Sequence, residues 1–214
     1  MSIEAYAARI AGNLNTAGQA ASRLHLPETT PYRFRVAWAL LRLAYDHAAS
    51  IVSNFHHHGG ELAGSPFALM RPMNEAFKRG AWFALCATDE ETDDFVANDR
   101  VPQRNLAREI ERHPPFDRLP MFSEQYANAW SKFHSFTHGG SQIVGAYTLG
   151  HGIGAAFPEA DVIKALDHAE AIACTVVMVM CMVGENFDPE NAHAAIAQME
   201  TIVPVGQQKN KPPT

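Results

Sequence analysis

Two groups of residues in this sequence have the types and spacing for chemistry. The first is Arg71, Glu75 and Arg79, set at successive steps of four. On a helix such steps fall along one ridge. An Arg-Glu-Arg ridge leaves one positive charge uncompensated. That suits a phosphate or a carboxylate, which arginine holds through two parallel hydrogen bonds. Lys78 and Trp82 lie beside the ridge, with Cys86 further on. Trp and Cys prefer burial, so the ridge is expected to be covered. Its charges must then be paired or ligand-bound, because an unpaired buried charge is costly. The bland alternative is a solvated face with two ion pairs, each worth about 0.3–0.5 kcal/mol.

The second group is KFHSFTHGGSQ, residues 132–142, in which His134 and His138 stand four apart before two glycines. Both imidazoles would face the same way and reach one ligand. Gly139 sits where a left-handed helix cap is expected, and Gly140 lets the chain turn sharply. Phe122, Tyr126, Trp130, Phe133 and Thr137 fall together on a wheel as the buried face, with the histidines on its flank. Two histidines at this spacing are half of a helical zinc site. The residue after His134 is Ser135, not the glutamate of HExxH, so hydrolytic zinc chemistry is not expected. A third ligand would have to come from His151, Glu75 or Asp167. Histidines hydrogen-bonded to their neighbours are the simpler reading, and no metal or cofactor is expected.

Other patterns carry less. Arg100, Arg104, Arg108 and Arg112 recur at steps of four and could track a nucleic-acid backbone. They fit equally a solvated face, or partners for the acidic run DEETDD. The triple His56-His57-His58 ends a helix, where cations are favoured. GHGIG lacks the preceding strand and following GK[ST] of a phosphate loop, and no nucleophile elbow is present.

The elements that must position these residues are helical, with no convincing strand alternation. A first helix is expected from Ile3 to Leu24. Thr30-Pro31 reads as an N-cap and first helical proline opening a long helix to Asn54. HHHGGELAG turns the chain, and Ser65-Pro66 opens a third helix that Pro72 should kink. DEETDD suits a helix start, because carboxylates meet exposed amides there. Further helices are expected over Pro102–Arg112, Ser123–Thr137 and Pro158–Glu185, and from Asp188-Pro189 to Ile202. Together these make one all-α domain over residues 1–204, a bundle of long helices with short peripheral ones. The tail 205–214 is expected to be disordered.

The chain has 214 residues, 47% of them hydrophobic and 19% charged, so it can build a real core. Its net charge of −6 supplies no global field for nucleic acid, and any such contact must be local. Three cysteines in apolar helical segments argue for reduced thiols. The N-terminal stretch MSIEAYAARIAGN does not read as a signal peptide. The apolar run Ala171–Gly184 falls short of the roughly 20 residues of a membrane span, which leaves a core or dimer-interface helix and a cytoplasmic protein.

Two segments, RPMNEAFKRGAWFALCATDEE and FHSFTHGGSQ, resemble a group of uncharacterised bacterial helical proteins distantly related to the HEPN superfamily. The resemblance covers Ser65 to Thr148. It implies a helical bundle, often dimeric, and in many members a ribonuclease of toxin–antitoxin or phage-defence systems. Others bind only nucleotides or partners. Catalytic members carry Arg, a polar residue, then His a few residues on. Two literal matches exist, Arg42 to His47 and Arg108 to His113, but Leu43 and Glu109 depart from the usual polar choice. What transfers is Arg71 and Glu75 on one helix and His138 with Gly139 on the other. The expectation is therefore a HEPN-like protein in which Arg71 and Arg79 bind RNA or nucleotide phosphate, oriented by Glu75. His134 or His138 moves the proton. The rival is a non-catalytic interaction or antitoxin-like protein with a structural Arg/Glu/His network.

Overall fold

Apolar residues recur at helical spacing along nearly the whole chain, and helices are what the chain forms. The structure, a computed structural model, describes residues 1–102, 105–118, 135–148 and 154–203. Among these residues there are no strands. The helices are α1 (Ile3–Ala21), α2 (Tyr32–His58), α3 (Gly64–Leu85), α4 (Asp89–Asn98), α5 (Leu106–Ile110), α6 (Ser141–Thr148), α7 (Glu159–Gly184) and α8 (Pro189–Met199), with a 3-10 turn at Phe116–Arg118. Most of the expected Ser123–Thr137 helix lies outside the described residues, as do Phe122, Tyr126, Trp130 and Phe133 of its apolar face. Residues 135–137 are helical. The tail 205–214 also lies outside the described residues.

The four long helices make the bundle. α2 packs on α1, α3 and α7, and its contact with α3 is the most extensive. α1 and α3 each also touch α7, while α8 packs on α1 and α7. One connected core runs through them, with Trp82, Tyr6, Phe55, Phe77 and Phe83 its largest fully buried side chains. Burying a residue of this size is worth about 1.5–3 kcal/mol.

Several helix ends differ from the sequence reading by a few residues. Pro31, not Thr30, takes the N-cap of α2 and has no side-chain cap bond. Thr30 is buried instead, and its hydroxyl has no partner among the described residues. It fills space rather than capping. α3 begins at Gly64 from Ala63, also without a side-chain cap, since alanine carries no acceptor. His56–His58 form the last turn of α2, and Gly59 (φ +54°) reverses the chain after it. α4 starts at Thr88 with a full capping box from Glu91, and α8 at Asp188 with Pro189 in its first turn. Of the expected Pro102–Arg112 helix, the described residues are helical over α5, which the Asn105 side chain caps; residues 103 and 104 lie outside them. The Gly-rich stretch after Gly139 hides a helix, α6, whose Tyr147 hydroxyl seats against Gly64.

α7 is the one helix among the described residues long and apolar enough to cross a membrane by composition, yet 61% of its apolar window is buried inside the fold. That burial is compatible with a soluble protein. Its outward stripe is Ala171, Cys174, Thr175, Met178 and Met182. Of the three free cysteines, Cys181 is buried and Cys86 and Cys174 are half-buried. Burial pushes the thiols of Cys174 and Cys181 up to about 11, so both stay protonated near neutral pH.

α2 and α3 approach most closely where Gly80 faces Leu41. A methyl group at Gly80 would lie 2.9 Å from Leu41 Cγ and 3.0 Å from its backbone nitrogen. Backbone cannot move aside cheaply. Gly80→Ala should therefore destabilise the fold by about 1–3 kcal/mol in urea unfolding. Gly12, with nothing within 4 Å of the same added methyl, is the control. Gly12→Ala should stabilise by about 0.4–1 kcal/mol. Equal effects at the two positions would show that Gly80 is not a close-packing glycine.

Candidate functional site

Pro72 stands inside α3. A proline there has no N–H to donate to the carbonyl four residues back, so the Ala68 carbonyl loses its helical partner. Thr137 replaces it, donating its hydroxyl to the Ala68 carbonyl at 3.2 Å. This contact brings the 135–140 segment onto α3. Phe136 packs beside it on Phe67, with ring centroids 4.9 Å apart, and Phe157 stacks on Phe67 at 4.6 Å. Phe136 was not part of the expected buried face, and here it is one of the segment's apolar anchors.

The segment then ends as its glycines require. Gly139 is left-handed (φ +67°), and the Gly140 amide donates back to the Ser135 carbonyl at 2.7 Å. This is a six-to-one closure with Gly139 just past the helix and His138 as the capping residue. Ser135 Oγ accepts from the amide of Gln142, linking this end to the start of α6.

His138, fixed one residue after Thr137, reaches the charged ridge. Arg71 Nη1 lies 2.9 Å from His138 Nε2. Guanidinium groups only donate, so Nε2 accepts and the proton of the neutral ring is on Nδ1. Arg71 Nε donates to Glu75 Oε1 at 3.0 Å, with the two side chains 22% and 31% exposed. The structure thus brings together Arg71, Glu75 and His138. His134 lies outside the described residues.

Arg79 sits one turn beyond Glu75, half-buried, and makes no hydrogen bond or ion pair among the described residues. It lines a cleft of about 260 Å³ with Glu75, Lys78, Asn105 and the apolar Val101, Pro102, Leu106 and Ala107. The Lys78 amine is held below its ordinary value, first by burial, with Arg79 and Arg71 acting the same way and Glu75 against them. Further along, Trp82 is fully buried and donates Nε1 to Glu109 Oε2 of α5 at 2.7 Å. The ridge is therefore covered at its far end by α5, as Trp82 suggested. Its apolar side, Met70, Met73, Phe77, Ala81 and Ala84, faces the core.

Beneath the ridge lies a polar link that the sequence reading missed. Asn74 is fully buried; its amide nitrogen donates to the Met70 carbonyl at 2.6 Å, which leaves Oδ1 toward His168 Nε2 at 2.8 Å. His168 is therefore the donor, with its proton on Nε2. Burial pushes it down to about 4. Only an asparagine at an apolar position of α3 could have signalled this pair. On the other side of α7, Tyr6 donates to Asp167 at 2.5 Å and Asn13 to Glu170 at 2.6 Å.

The other patterns stay apart. Arg42 is a surface residue bonded to Asp46 at 2.9 Å and does not meet His47. Arg108 and His113 do not meet either. Arg100, Arg108 and Arg112 are exposed and form no ion pair with the acidic run among the described residues; Arg104 lies outside them. Asp167, one of the three residues considered as a third zinc ligand, is engaged with Tyr6, and His151 lies outside the described residues. No group of three or more His, Cys, Asp or Glu among the described residues is placed to hold a metal.

A family match spans residues 41–202, which takes in α3, the 135–140 segment and α7. The chain belongs to the family of unknown function DUF6988. No curated protein matches the chain, and no solved structure does. The matched range of this DUF6988 chain includes every residue of the Arg71 site.

If Pro72 is what orphans the Ala68 carbonyl, the two residues are coupled. Thr137→Val should cost about 0.5–1.5 kcal/mol in the native background. In Pro72→Ala, where an N–H is restored, it should cost clearly less. A double-mutant cycle in urea measures the difference, and a coupling near zero removes the link.

His168 gives this DUF6988 protein an acid sensitivity. Its folded value, about 4, lies below the ordinary 6.5. The unfolded chain takes up this proton first, so stability falls as pH drops from about 6.5 toward 4 and is unaffected above. At pH 5 the loss amounts to about 2 kcal/mol. His168→Gln should lose correspondingly less between pH 7 and pH 5. The same loss in both proteins would show that another group titrates.

Proposed function

We propose that Arg71, Glu75, Arg79 and His138 form a phosphate site for RNA or a nucleotide, and that this helical protein is a candidate ribonuclease. The observation that carries the reading is the 2.9 Å contact between Arg71 Nη1 and His138 Nε2, made between residues 67 positions apart. A cation and a proton acceptor held together in this way suit an anion that must be bound and then attacked. The relationship to the HEPN superfamily, a bacterial toxin–antitoxin or phage-defence setting, a cytoplasmic location and a homodimer belong to the same proposal. A dimer through the outward stripe of α7 would leave its buried side as the protomer core.

In the proposed reaction a phosphodiester takes the Arg71 guanidinium through two parallel bonds. This displaces His138 Nε2, which is then open to accept the proton of the ribose 2′-hydroxyl. The 2′-oxygen attacks phosphorus, the bond from phosphorus to the 5′-oxygen breaks, and that oxygen takes a proton from water. Glu75 keeps Arg71 oriented, and Arg79 and Lys78 offset the charge of the next phosphate.

A second reading has an observation of its own. Two donors of Arg71 are already engaged within the chain, by Glu75 and His138, as a purely structural stitch would have them. The chain would then be a non-catalytic interaction or antitoxin-like protein.

One set of measurements separates the two. Single-stranded RNA is incubated with wild type and with His138→Ala, and product is followed with time. Cleavage that falls by about 10²–10⁴ in the variant is expected. Equal cleavage, or none in either protein, counts against the enzyme. A folded Glu75→Ala with an unchanged melting temperature removes the structural stitch.

A further inference from the structure

The cleft beside Arg71 is small and two-sided. One wall is the α3 ridge, with Lys78 and Arg79 and the Glu75 carboxylate already held by Arg71 Nε. Among the described residues the facing wall is the apolar Val101, Pro102, Leu106 and Ala107, with Asn105 at the edge. The Asn105 side-chain oxygen caps the Arg108 amide, so it is the amide nitrogen of Asn105 that is left for a ligand. Arg79 has no counter-ion among the described residues, although it is half-buried. A half-buried cation without a partner is costly unless an anion joins it.

Size and polarity then restrict the anion. At about 260 Å³ the cleft is smaller than most ligand pockets, which span about 300–1,000 Å³. It holds one ring-sized body and one charged group. A bare phosphate would leave the apolar wall unused, and an apolar ring alone would leave Arg79 unpaired. Across Val101 and Pro102 lies an open groove lined by Glu91, Asp94 and Asp99, with Arg100. Its carboxylates repel an anion that strays to that side.

Building on the phosphate reading above, we infer that this cleft is a single-nucleotide subsite. Its phosphate lies on Arg79 and Lys78, and its base lies flat against Val101, Pro102 and Leu106. The unit is either a free nucleoside monophosphate or one nucleotide of a single strand. A base still paired in a duplex cannot enter.

The test is titration calorimetry with adenosine monophosphate, inorganic phosphate, adenosine and a short single-stranded RNA. Adenosine monophosphate should bind at least tenfold more tightly than phosphate or adenosine. Arg79→Gln, checked for wild-type helicity by circular dichroism, should weaken it at least tenfold. Val101→Ser should weaken it several-fold while leaving phosphate binding unchanged. Equal binding of phosphate and adenosine monophosphate, or an unaffected Arg79→Gln, overturns the subsite. If RNA binding still depends on Arg71 in that case, only the subsite falls and the phosphate reading stands. If no probe and no RNA binds, both fall.

Discussion

The geometry of the site depends on a hydrogen bond that Pro72 cannot make. Within α3 the Ala68 carbonyl has no amide four residues on to answer it, and it is answered from another part of the chain, by Thr137. A threonine can do this only if its segment lies along the helix. The segment is kept there by Phe136 on Phe67 and halted one residue later by the left-handed Gly139. His138 thus reaches Arg71 through three local constraints: a missing donor, an aromatic contact and a glycine cap. None of the three is itself polar chemistry of the site. They set the position of an imidazole that is otherwise exposed.

The charges are arranged by burial as much as by pairing. α3 turns its apolar side into the core, and the opposite ridge is sealed at Trp82 by Glu109 of α5. Between Trp82 and Arg71 stand Lys78 and Arg79. Burial disfavours the charged lysine, and two nearby arginines add to this, while Glu75 alone of the named groups favours it. Among the described residues Arg79 has no counter-charge, and the apolar Val101 and Leu106 that line the cleft with it offer none.

The all-helical fold was legible in the sequence because its apolar residues keep helical spacing almost throughout, and because Thr88, Asp188 and Gly139 carry their capping function in their own chemistry. Where a cap was misread, tertiary burial had overruled local preference. Thr30 looks like an N-cap but is drawn into the core, so Pro31 takes that place. α6 was hidden by its flanking glycines, since its support comes from Tyr147 on Gly64 and from Ser135 on Gln142. Of the candidate site, Arg71, Glu75 and Arg79 were legible from their spacing and from the burial implied by Trp82. The meeting of Arg71 with His138 rested on matching two segments, since no spacing rule joins residues 67 apart. For Asn74 with His168 the one sign was an asparagine in an apolar stripe, which does not say which helix supplies its partner.

These two histidines show how position decides what an imidazole can do. His168 donates from Nε2 to a buried amide, and burial keeps it neutral far into the acid range. It resists the proton, so its contribution is structural. His138 presents Nε2 as an acceptor to a cation on an exposed helix end. An anion that drew Arg71 away would remove that donor from Nε2, at a position exposed to solvent. In the proposed reading, anion binding at Arg71 and release of His138 Nε2 from that arginine are one event, because the same hydrogen bond must break for both.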